Sequence, residues 1–97
     1  MGMDLQIEKD YCIENKVNIP EYTLESILNY VNTKVPTGDF LYAVLTNNLT
    51  EAIFRADLNN SRALKDIVKY CFWRIPHNCW GSKKEVEDWV NRGDAKK

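Results

Sequence analysis

Three prolines divide this chain, and the apolar residues between them recur at helical spacing. Pro20 suits the first turn of a helix, where its missing N–H costs nothing, and Glu21 complements the positive helix end. Leu24, Ile27, Leu28 and Val31 follow on one face. Val35 precedes Pro36 and is pushed out of the α region, so this helix stops near Lys34. Pro76 likewise ends the longest helix, which the spacing places from about Asn60 to Ile75.

Between these stops the punctuation is polar. The stretch Pro36-Thr37-Gly38-Asp39 is a turn leading into a helix with Phe40, Leu41, Val44 and Leu45 on its apolar stripe. Asn48 and Glu51 have the spacing of a capping box. They open a short helix expected to turn Leu49, Ala52, Ile53 and Ala56 inward. A second turn and cap region covers residues 57–61. Ser82 and Glu85 form another capping box before Val86, Trp89 and Val90, and Gly93 suits the end of that helix. Residues 1–19 show weak periodicity and predict a weakly ordered arm or short strand. The expected architecture is all-α: a compact bundle of about five short helices over 20–93, after an N-terminal arm 1–19 and before a tail 94–97.

At 97 residues and 44% hydrophobic content, one domain with a modest core is the expectation. Oligomerisation often supplies the burial such a size lacks, so a homo-oligomer is expected. No apolar run approaches the roughly 18 residues of a membrane span. The acidic N-terminus lacks a signal-peptide core, and Gln6 stands where a myristoylation start has Ser or Thr. These features predict a cytoplasmic protein. Three cysteines fit no disulfide framework. A net charge of −1 argues against general nucleic-acid binding. The charge is uneven, however: residues 1–22 are acidic and residues 62–84 basic.

Cys71, His77 and Cys79 have metal-ligand chemistry, but structural zinc takes four ligands, usually with a knuckle spacing that is missing here. Cys71 falls on the apolar face of its helix, and Cys79 with Trp80 is expected to plug a helix corner. No nucleophile elbow, phosphate loop, dinucleotide fingerprint or metalloprotease motif is present. The sequence therefore predicts no enzyme, no catalytic residue, no metal and no cofactor.

The long helix carries the strongest functional signal. At about 100 degrees per residue, Leu64, Ile67, Val68, Cys71, Phe72 and Ile75 fall on an expected core face. Lys69 and Trp73 fall in line with Arg62, and Lys65 flanks them. Trp and Arg are favoured interface anchors, and an aromatic ring beside cations can stack a nucleobase. Three readings of Trp73 follow: covered by the acidic N-terminal segment, buried in an interface, or stacked on a nucleotide. Asn47, Asn48, Arg55 and Asp57 form a second polar cluster, in which capping and an Arg55–Asp57 ion pair are the simplest roles.

The segments Ile19–Tyr22, Gly38–Asp57 and Cys79–Ser82, with Val86 and Trp89 beyond, resemble short proteins encoded by bacteriophages and prophages. Two departures are Asp39 where Gly is common and Asn48 where Asp is usual. The resemblance implies a mobile-element context and no particular activity. In that context the expected function is a small non-catalytic binding protein, probing two targets: a nucleotide immune signal to sequester, or a host defence protein to block. In the nucleotide version Trp73 or Tyr42 stacks the base and Arg55, Arg62, Lys65 and Lys69 hold phosphate. The alternatives are a DNA-binding regulator using the basic helix, or a structural accessory protein of a mobile element.

Overall fold

Four of the six α-helices among the described residues start where a side chain satisfies an otherwise unpaired N–H group of the first turn, and one starts directly after a proline. The structure is a computed structural model describing residues 2–94. Helix α1 spans Leu5–Glu14, with the Asp4 carboxylate accepting from the Ile7 N–H at 3.1 Å. Helix α2 spans Glu21–Thr33 after Pro20, and Lys34 closes it in a left-handed conformation. Helices α3 (Asp39–Leu45) and α4 (Leu49–Arg55) are short, and Asn48 caps α4 through the Glu51 N–H. Asp57 caps α5, Leu58–Arg74. A 3₁₀ turn at His77–Cys79 leads to α6, Lys83–Asp94, where Ser82 Oγ accepts from the Glu85 N–H.

The all-α expectation holds, and among the described residues the bundle has six α-helices and no strand. The arm expected at 1–19 is corrected: most of it is α1. Its helical pattern is hard to read because the centre of its buried face is Glu8, only 3% exposed. Glu8 Oε1 accepts from Tyr70 Oη at 2.8 Å and Arg74 Nε at 2.9 Å, while Oε2 accepts from Arg74 Nη2 at 2.8 Å. A second anchor precedes the helix. The Asn32 amide bonds both the N–H and the carbonyl of Met3, and a side chain at Gly2 would collide with it. The tail expected from 94 lies, beyond Asp94, outside the described residues.

The core is built around α2. Leu24, Ile27, Leu28 and Tyr30 are buried against Leu41, Val44 and Leu45 of α3, Ile67 and Cys71 of α5, and Val86 of α6. Tyr30 ties the corner down: its hydroxyl donates to the Cys79 carbonyl at 2.7 Å, and its own carbonyl accepts from Trp89 Nε1 at 3.1 Å. Gly81, at φ +110°, makes a turn that L residues resist, and its N–H donates to the Leu45 carbonyl.

Two inward faces differ from the sequence expectation. On α5 the buried residues are Asn60, Ala63, Ile67, Tyr70 and Cys71, so Leu64 is part-buried while Val68 and Phe72 are exposed. The buried arc is turned by about 80 degrees from the expected one, on a 100-degree wheel. Tyr70 and Arg74 turn it by reaching Glu8. On α4 only Ala52 is buried; Leu49 and Ile53 face out and Ala56 is part-buried.

Candidate binding surface

Trp73 lies on the outside of α5 and is 69% exposed. Its ring meets Phe72 edge-on at 5.1 Å between centroids, and Phe72 in turn meets His77 edge-on at 6.2 Å. Trp73 and Lys69 line a cleft of about 200 Å³ together with Tyr11, Lys16 and Tyr70. Asp66 also borders it, with a carboxylate oxygen accepting the Asn18 N–H at 2.9 Å. The N-terminal segment therefore packs beside Trp73 without covering it. Arg74 leaves this surface to stack over Tyr11, 4.4 Å from the ring centroid, and to pair with Glu8.

The other expected site residues are dispersed. Arg62 borders a polar depression with Asn18, Glu21, Tyr22 and Asn59. Tyr42 borders a mostly apolar cavity of about 350 Å³ formed with Pro36, Val86 and Val90. Arg55 pairs with Glu51 at 3.1 Å and Asp39 at 3.5 Å rather than with Asp57. Asp57 instead caps α5 and accepts from Tyr22 Oη at 2.7 Å. These bonds hold its carboxyl below the ordinary 3.8, the bond from the Asn60 backbone N–H contributing most. Asn47 adopts φ +63° and borders a groove between α4 and α5. Lys65 is exposed on α5.

That groove is the feature the sequence reading missed. Leu49 and Ala52 of α4 and Leu64 and Val68 of α5 line it, with Trp80 at the corner. The Trp80 indole N–H is buried without an acceptor among the described residues. Along α5 the apolar ridge continues from Leu64 and Val68 to Phe72, at the i, i+4, i+8 spacing that makes one helix ridge. Phe72 is 52% exposed. Ile53 is exposed one turn along α4 from Leu49. The signal available in the sequence was the apolar count on α5, too wide for a helix that also buries Tyr70 and turns Arg74 toward Glu8.

Charge sharpens the surface. Lys9, Arg55, Arg74, Lys83 and Lys84 are ion-paired, and Lys34 and Arg92 lie over Trp89. Among the described residues, Lys16, Arg62, Lys65 and Lys69 have no ion-pair partner. Three of these four lie on α5, next to the exposed ridge, and Lys16 shares the Trp73 cleft.

The cysteines are core residues. Burial pushes the Cys71 thiol up to about 12 and the Cys79 thiol up to about 11, and burial with the nearby Glu8 raises Cys12. Cys79 Sγ donates to the Pro76 carbonyl at 3.1 Å and not to His77. No group of three or more His, Cys, Asp or Glu side chains among the described residues is placed to hold a metal ion. No helix among them is long and apolar enough to cross a membrane. No protein-family model matches the chain, and neither does any curated protein or solved structure.

Proposed function

We propose that the protein is a non-catalytic binding module of phage type that blocks a host defence protein, engaging it through the α4–α5 face. One observation carries this reading: Leu49, Ile53, Val68, Phe72 and Trp73 are all exposed on or beside two neighbouring helices, bordered by unpaired cations. Surface apolar residues scattered singly need no explanation, but a contiguous set with a Trp anchor marks an interaction site. The protein-blocking version is favoured over nucleotide sequestration. The cleft beside Trp73 is about 200 Å³, below the roughly 300–1,000 Å³ of small-molecule sites, and Asp66 borders it; the cavity of about 350 Å³ beside Tyr42 has no Arg or Lys in its lining to hold a phosphate.

The test is phage plating on hosts carrying a panel of defence systems, with and without the protein expressed. Plating restored against at least one system supports the reading. A panel without any restored plating removes it. A thermal shift with signalling nucleotides that Trp73→Ala abolishes would transfer the reading to the nucleotide version.

A further inference from the structure

Resting on the binding-module reading, we infer that the occupant of the α4–α5 groove is an acidic amphipathic helix of the partner protein. Three features of the surface define this occupant. First, its shape is a helix ridge. Leu64, Val68 and Phe72 run along α5 at i, i+4, i+8, and a second helix packs on such a ridge with its own i, i+4 row. The groove beside the ridge, floored by Ala52 and walled by Leu49 and Val68, has a volume of about 200 Å³, enough for one or two aliphatic side chains.

Second, its charge is one-sided. Lys65 and Lys69 each follow a ridge residue by one position, so both lie on the same flank of the ridge, with Arg62 beyond. None has a carboxylate within ion-pair distance among the described residues. A partner helix carrying Glu or Asp along one edge of its apolar stripe neutralises that flank.

Third, a second copy leaves these charges unmet. A two-fold pairing through this face sets the cationic flank of one copy against the α4 side of the other, and the one carboxylate of α4, Glu51, is already paired with Arg55. A nucleic-acid duplex would use the cations and leave the apolar ridge unburied.

The probes are two labelled helical peptides of about 16 residues, four helical turns. Both carry Leu at i, i+4 and i+7, one flanked by Glu and its twin by Lys, and fluorescence anisotropy with the full-length protein reads their binding. The acidic peptide is expected to bind at least tenfold tighter than its twin. Lys65→Glu with Lys69→Glu reverses that preference, and Val68→Ser with Phe72→Ser removes binding of both. Equal binding of the twins, or tighter binding of a DNA duplex of similar length, overturns the inference. So does self-association that Phe72→Ser abolishes. If the acidic peptide fails while Phe72→Ser and Trp73→Ser still abolish the plating effect, the occupant is wrong and the binding-module reading stands. If those variants keep the plating effect as well, both fall.

Discussion

Replacing Glu8 by Ala tests how α1 is held to the bundle. The Glu8 carboxylate is 3% exposed and accepts three hydrogen bonds, from Tyr70 Oη and from Arg74 Nε and Nη2. Removing it orphans the Tyr70 hydroxyl, itself buried, at about 1–3 kcal/mol. Breaking a fully buried ion pair by deleting one partner costs about 3–5 kcal/mol. The Arg74 side chain is 32% exposed and regains water, so its share is smaller. The combined loss is about 3 kcal/mol. At roughly 4–8 °C per kcal/mol for a domain of this size, the midpoint falls by about 12–24 °C. Glu8→Gln keeps an acceptor for Tyr70 and loses about half as much. Thermal unfolding followed by circular dichroism reads both. A drop under about 0.5 kcal/mol for Glu8→Ala, the range of ordinary surface changes, would refute the clasp and return residues 1–19 to a loose arm.

Other perturbations isolate single features. Cys71 and Cys79, raised to about 12 and 11, should resist a thiol reagent at pH 8 in the native protein and react on unfolding; rapid native reaction contradicts their burial. Asp57 has a lowered carboxyl pKa, so it stabilises the fold above 3.8 and that contribution disappears as pH falls through the native value. Asp57→Asn should therefore flatten the acid limb of the stability curve, and an unchanged limb rejects the coupling. Gly81→Ala places a side chain at φ +110° and should cost about 1–3 kcal/mol in a denaturant titration. A neutral result means that the corner can adopt another turn.

The parts of the fold legible in the sequence are those with local punctuation. Pro20, Pro36 and Pro76 bound α2 and end α5, and Asn48 and Ser82 cap α4 and α6, because these signals act within a few residues. What stayed hidden depends on long-range polar pairing. Glu8 reads as a surface residue until Arg74 and Tyr70 arrive from 66 and 62 residues away. The same pairing turns Tyr70 inward and Phe72 outward. The helical spacing puts Trp73 on the exterior, as observed, but it also puts Val68 and Phe72 in the core, where this pairing leaves no room for them. Lys16 and Tyr11 joined the Trp73 cleft only once α1 was folded against α5.

On the proposed reading, the exposed ridge on α5 serves binding and not the stability of the chain. The most direct test is the plating effect of a Phe72→Ser, Trp73→Ser protein against an Ile13→Ser control, since Ile13 is equally exposed apolar surface on α1, 75% accessible. A binding role for the ridge predicts that the double variant loses the plating effect while staying folded and that the control retains it. Retention by both proteins, or equal loss by both, would contradict a specific binding role for the α5 ridge.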